Sequence, residues 1–201
     1  MKYINKGKEP VEFVEWKRLA NENWQPSYDD LQNPEKTIVR TALMEEQGYI
    51  CCYCEQELIA TNSHIEHLLP QDKYPEKVLD FSNMLSSCQN RLKKGEPRHC
   101  GNLKDDDEIL ISPLEKDCEN YFEYTYDGYI KPVNENAKIT IEKLGLDIPK
   151  LNAYRRDVIE PFIDMDGLLT EGELTEFISG YLKKNDGKYQ PFYTTINFLF
   201  G

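Results

Sequence analysis

Cys51-Cys52-Tyr53-Cys54, then Ile65-Glu66-His67-Leu68-Leu69-Pro70, Asn83, Cys88 and His99-Cys100-Gly101-Asn102-Leu103-Lys104 form the stretch that decides how this chain folds. Two cysteines separated by two residues can turn both sulfurs toward one point, and two more downstream complete a tetrahedral donor set for zinc. Cys51, Cys54, Cys88 and Cys100 are the expected ligands. Eleven residues separate Cys88 from Cys100, so a loop must leave and return between them. Four thiolates leave no open coordination position, so such a zinc is structural, and a small core gains much of its folding energy from it. A thioredoxin-type redox site needs a CxxC opening a helix after a strand, and the downstream cysteines favour zinc instead. Cys52 and Cys118 remain over and are expected as small buried residues.

The residues between the cysteine pairs carry a second chemistry. Ser63 to Leu68 reads as extended, with Pro70 ending it. Side chains alternate along a strand, so His64 and Glu66 point to one side and Ile65 and His67 to the other. Glu66 and His67 converge only if the strand bends or ends beside them, and Pro70 supplies such an end. A carboxylate is a hard ligand suited to Mg²⁺ or Mn²⁺. A neutral imidazole suits removal of a proton from water. Together they make a minimal hydrolytic pair.

Moving outward, the chain has 201 residues and a net charge of −12, the wrong sign for holding nucleic acid unaided. The acidity is uneven. Residues 105–201 carry 10 basic and 20 acidic side chains, whereas residues 48–104 carry 7 of each. Within the neutral middle, Arg91, Lys93, Lys94, Arg98 and Lys104 stand against Glu96 alone, a basic patch beside the second cysteine pair. The first residues lack the apolar core of a signal peptide and no long apolar run follows, so a cytoplasmic location with no membrane span is expected. CxxC chemistry in a reducing compartment agrees with that.

The pattern predicts a helix over residues 11–23 behind Pro10, with Val11, Val14, Trp16 and Ala20 as its apolar members. Asn33-Pro34-Glu35 is a helix start, and Gly48 a stop. Tyr49 to Cys54 reads as a short strand entering a zinc knuckle. Residues 71–87 read as loop and short helix around Asn83, and 89–98 as a polar inserted loop. Asp105-Asp106-Asp107-Glu108 reads as an exposed run. Tyr121 to Pro132 alternates aromatics around Asp127-Gly128, a hairpin signal. Helices are expected at 137–144, 150–162 and 171–184, with a turn at Asp186-Gly187. The apolar tail, Phe192 to Phe200, reads as docked core or as a partner surface.

Cys51-x-x-Cys54, Glu66-His67-x-x-Pro70, Asn83 and the later cysteines resemble an HNH endonuclease with a ββα-metal fold. Lys6-Gly7-Lys8-Glu9-Pro10, Glu46-Gln47-Gly48-Tyr49-Ile50-Cys51, Ile65-Glu66-His67 and His99-Cys100-Gly101-Asn102-x-Lys104 extend the resemblance, over residues 1–160, to the PtuB-like HNH proteins of Septu and retron anti-phage systems. The resemblance implies a metal-dependent endonuclease. Glu66 would be a ligand of the catalytic metal, His67 the general base, and Asn83 a support that orients His67. The pattern has Asn or His directly after the last cysteine as the remaining ligand. Here that position is Gly101, leaving Asn102 or His99 as alternatives. Glu66 stands where Asp is commoner. The implied partners are a PtuA-like ABC ATPase and, in retron systems, a reverse transcriptase with its RNA–DNA product, acting on a nucleic-acid substrate. The implied architecture is α+β: a helical N-terminal segment (1–47), a zinc-stapled ββα-metal core (48–110), and a hairpin with a mainly helical C-terminal region (111–201), packed as one unit.

Overall fold

The computed structural model describes every residue except Lys93, Met165 and Asp166, and only the backbone at Asp164. The architecture is α+β. In chain order the elements are α1 (Val11–Lys17), α2 (Glu35–Glu46), β1 (Ser63–His67), β2 (Met84–Cys88), α3 (Gly101–Lys104), β3 (Phe122–Tyr124), β4 (Ile130–Pro132), α4 (Glu135–Leu144), α5 (Pro149–Asp164), α6 (Glu171–Leu182) and α7 (Tyr193–Phe200). The strands form two separate two-stranded antiparallel sheets, β1 with β2 and β3 with β4.

β1 and β2 carry the middle of the chain. Ser63 lies opposite Cys88 and His67 opposite Met84. One face of the pair, with Ile65 and Met84, packs against Phe13, Leu31, Val39, Leu43 and Phe81 from the α1–α2 side. The other face, with Leu85, packs against the cysteines and Leu144, Leu146 and Leu151. That second cluster draws residues from 1–47, 48–110 and 111–201 alike. β2 departs from the expectation of loop and short helix over 71–87. All five of its residues are buried. A strand covered on both faces shows no alternation of apolar and polar residues, so its period-2 signal is missing.

α2 ends as its glycine requires. The Gly48 N–H donates to the Glu45 carbonyl and the Tyr49 N–H to the Met44 carbonyl, with Gly48 at φ +63°. This is the paired closure that needs a left-handed residue after the helix. Beyond it, Tyr49 to Cys54 is a turn and not the expected strand. Tyr49 and Glu55 both take positive φ, and only Ile50 pairs, with Glu57. The apolar run there fills the space around the sulfurs. α1 is also shorter than expected. It stops at Lys17, because Asn21 and Trp24 close a reciprocal backbone pair just beyond. Its core residue is Phe13, while Val11 lies exposed.

The hairpin, α4, α5 and α6 stand near the predicted positions. Asn134 caps α4 by accepting from the Ala137 N–H, and Gly145 ends it in the left-handed region. Thr170 and Glu173 form a reciprocal cap on α6. α7 buries Ile196 against Ile159 and Phe162 of α5. At its start, the Thr194 N–H donates to Glu55, and Glu55 also pairs with the Met1 amine at 2.8 Å. Among the described residues no helix is long and apolar enough to cross a membrane.

Candidate functional site

The knuckle is held by its own backbone. The Cys51 N–H donates to the Gln56 carbonyl and the Glu55 N–H to the Cys51 carbonyl. The Cys52 N–H reaches the Ser86 carbonyl and so ties the knuckle to β2. Gln47, at the end of α2, donates to the Ile50 and Ser86 carbonyls and accepts from the Ser86 N–H at 2.6 Å. These bonds bring Cys51 and Cys54 onto Cys88, at the end of β2, and Cys100, just before α3.

The sulfurs of Cys51, Cys54, Cys88 and Cys100 all lie within 4.8 Å of one another, and all four residues are buried. Cys54 and Cys88 Sγ are 3.7 Å apart. Two thiolates at about 2.3 Å from one tetrahedral zinc stand roughly 3.8 Å apart. The cysteines are free thiols and no disulfide competes. The donor set therefore fits a closed structural metal site. Cys52 and Cys118 are buried outside it, and burial pushes the Cys118 thiol up to about 12.

Along β1 a cleft of about 350 Å³ opens, and His64, Glu66 and His67 line it together with Gln71, Asp72, Gly101, Asp105 and Asp106. Glu66 and His67 leave opposite faces of β1, as alternation demands, yet both border this opening because the strand ends beside them. On one face, Glu66 Oε1 accepts from Tyr53 Oη at 3.1 Å and pairs with Lys104 Nζ at 3.2 Å. Lys104 is almost wholly buried, and its ammonium also donates to the His67 carbonyl at 2.9 Å. On the other face, the His67 ring meets Tyr28 edge-on with centroids 4.7 Å apart.

His67 is fixed at both nitrogens. Nε2 stands 2.9 Å from the Val78 carbonyl, which can only accept, so Nε2 carries the proton. Nδ1 is then the lone-pair nitrogen, and it accepts from the Gln71 amide at 3.1 Å. Burial lowers the imidazolium pKa below its ordinary value, against the raising effect of the Val78 bond. The ring is neutral near pH 7.

Asn83 does not touch His67. Its Oδ1 accepts from the Leu69 N–H, and its Nδ2 donates to the Leu69 and Lys77 carbonyls. It clamps the loop whose next carbonyl, that of Val78, orients His67. Asn102 and His99 both lie outside the cleft lining. The Asn102 amide donates to the Gln89 carbonyl at 2.6 Å. His99 Nδ1 sits 3.1 Å from Cys100 Sγ and 3.8 Å from Cys88 Sγ, on the thiolate side. Sequence reasoning missed the roles of Lys104, Tyr53 and Gln71. Asp105 and Asp106 are exposed, as expected, and they also border the cleft.

A four-cysteine cluster that fits zinc pins the strand pair of an α+β protein, and a histidine and a carboxylate share one cleft along it. No family model matches the chain. It is 30% identical over 173 residues, covering 81% of this chain and 82% of the relative, to a protein of Vibrio cholerae serotype O1 biovar El Tor named as a candidate HNH endonuclease of retron Vc95. It is 28% identical over 148 residues to the Septu protein PtuB of Bacillus thuringiensis, covering 71% of this chain and 55% of PtuB. A protein of Escherichia coli named as a candidate HNH endonuclease of retron Ec83 is 26% identical, covering 99% of this chain and 93% of that protein. The chain belongs to this family of retron and Septu HNH proteins.

Proposed function

We propose that the protein is a metal-dependent HNH endonuclease that hydrolyses phosphodiester bonds in nucleic acid, as the effector of an anti-phage defence complex. The observation that carries this reading is His67, with its lone pair at Nδ1 and its other nitrogen fixed to the Val78 carbonyl, on the same cleft as the Glu66 carboxylate. In this reading β1, β2 and α3 are the ββα-metal core within residues 48–110. Residues 1–47 and 111–201 pack around it, and zinc fills the Cys51–Cys54–Cys88–Cys100 cluster.

His67 Nδ1 takes the proton from the attacking water, once the Gln71 amide turns aside to let that water in. Glu66 Oε1 is held by Tyr53 and Lys104, which leaves Oε2 to bind Mg²⁺ or Mn²⁺. When bound, the ion supplies positive charge against the phosphate and the leaving 3′ oxygen. Asn83 positions His67 through the loop it clamps. The products carry a 5′ phosphate and a 3′ hydroxyl.

The cleft also carries Asp72, Asp105 and Asp106, and the chain has a net charge of −12. Both repel a polyanion. A PtuA-like ABC ATPase, and in a retron setting a reverse transcriptase with its RNA–DNA product, would supply the grip. The alternative is a non-catalytic zinc-stabilised adaptor, and Gly101 in the ligand position favours it.

The test is Mg²⁺-dependent cleavage of DNA and RNA by the chain co-purified with the products of its neighbouring genes. His67→Ala should lower cleavage by about 100-fold or more, the usual contribution of a general base, with zinc content unchanged. Cleavage that survives in His67→Ala overturns the reading, and no cleavage by any form of the complex favours the adaptor.

A further inference from the structure

The position after the last cysteine is Gly101, so the usual side chain for the catalytic metal is missing there. The structure shows what fills its space. A Cβ on Gly101 would lie 2.3 Å from Glu66 Oε2 and 2.9 Å from His64 Nε2. Both atoms occupy the ground that an Asn or His at position 101 would need. His64 and Glu66 reach it together because they are two residues apart on β1 and share a face.

The geometry of the two atoms suits a shared ion. His64 Nε2 and Glu66 Oε2 are 3.7 Å apart, too far for a hydrogen bond. Two ligands at about 2.1 Å from one ion stand roughly 3.0–3.6 Å apart, so a shift of a few tenths of an ångström lets both bind. His64 Nδ1 is buried without a hydrogen-bond partner, which leaves Nε2 as the ring atom turned toward the cleft. Glu66 Oε1 is already engaged by Tyr53 and Lys104, which leaves Oε2 as the carboxylate's open oxygen.

We infer that His64 Nε2 is the nitrogen ligand of the catalytic divalent ion, and that with Glu66 Oε2 it replaces the side chain missing at position 101. This rests on the nuclease reading above and adds a residue to it. An imidazole is a softer ligand than a second oxygen, so the site should favour Mn²⁺ over Mg²⁺ more than an all-oxygen site does.

The test is Mn²⁺ titration of the zinc-loaded full chain, followed by the loss of the free-ion electron paramagnetic resonance signal. His64→Ala and His64→Gln should each weaken Mn²⁺ binding about 10-fold or more, with zinc stoichiometry and melting temperature kept. Glu66→Gln should abolish binding. If His64→Gln and His64→Ala bind Mn²⁺ within twofold of wild type while Glu66→Gln does not bind, His64 is no ligand and the nuclease reading stands. If wild type binds no Mn²⁺ beyond the Glu66→Gln background, both fail. If both His64 variants unfold, pulsed electron paramagnetic resonance of Mn²⁺ bound to His67→Ala decides: coupling to an imidazole nitrogen should persist, and its absence overturns the inference.

Discussion

Lys104 serves two cleft groups with one ammonium, the Glu66 carboxylate and the His67 carbonyl. Both partners are nearly inaccessible to water, so removing the cation leaves a buried carboxylate whose only remaining hydrogen bond is from Tyr53, with His64 Nε2 3.7 Å away. Lys104→Met should therefore cost about 3 kcal/mol of stability, read by urea denaturation, and should also loosen Mn²⁺ binding by freeing Glu66. A loss under 1 kcal/mol would mean that Glu66 rotates into water and is not held. At this scale the sequence was legible where chemistry is carried by residue type. A thiolate set, a carboxylate and an imidazole announce their chemistry. The strand period also placed His64 beside Glu66, although nothing then gave His64 a role. Lys104 and Tyr53 had no such signal, because a lysine or tyrosine reads as surface or core until its neighbours are known. Asn102 and His99 were offered by sequence distance from Cys100, but backbone direction turns one to Gln89 and the other to the sulfurs.

Among the elements, the joint between α2, the knuckle and β2 depends on Gln47, buried and bonded to Ile50 and Ser86. Gln47→Ala leaves the Ser86 N–H and the Ile50 carbonyl unpaired in the interior, while the Ser86 carbonyl keeps the Cys52 N–H. We expect a loss of about 2–3 kcal/mol in urea denaturation, and Gln47→Glu should not rescue it, since a carboxylate cannot donate to both carbonyls. The β3–β4 turn gives a second check. A Cβ on Gly128 would meet the Asn152 carbonyl oxygen at 2.2 Å, with φ at +88°. Gly128→Ala should destabilise by about 2 kcal/mol or more, while cleavage per folded molecule is retained. Elements with caps and glycine stops were legible at α4, α6 and the hairpin; α2 shows only its Gly48 stop, since Pro34 takes the N-cap position and the expected Asn33 cap makes no bond to a helix N–H. β2 and the knuckle were not. One is buried on both faces, and the other takes its shape from positive φ at Tyr49 and Glu55 and from the sulfurs it must gather.

Across the whole molecule, the four-cysteine cluster and the Glu55 ion pair join distant segments. Cys54→Ser should release zinc and lower the melting temperature markedly, because the cluster links knuckle, β2 and α3. Glu55 gathers the Met1 amine, Thr194 and the start of α7. Burial opposes charge on the amine, but Glu55 and Tyr124 outweigh it and raise its pKa from 8.0 to about 11. A raised amine contributes stability that is fully present below pH 8.0 and lost as pH rises toward about 11. Burial also opposes charge on Glu55, but the Met1 ammonium and Thr194 lower its pKa below 4.5, so its share is present above pH 4.5 and lost as pH falls. Glu55→Gln should cost about 3 kcal/mol at pH 7 and flatten the alkaline limb of a stability–pH profile. These links hold the scaffold on which the cleft depends, and two different ions are expected to sit on it. Anomalous diffraction from crystals soaked in Mn²⁺, with data at the zinc and manganese edges, distinguishes them. Zinc is expected at the centre of the four sulfurs and a separate manganese peak bound by Glu66 Oε2 in the His67 cleft. Manganese absent from that cleft, or four sulfurs without a common ion, would contradict that expectation.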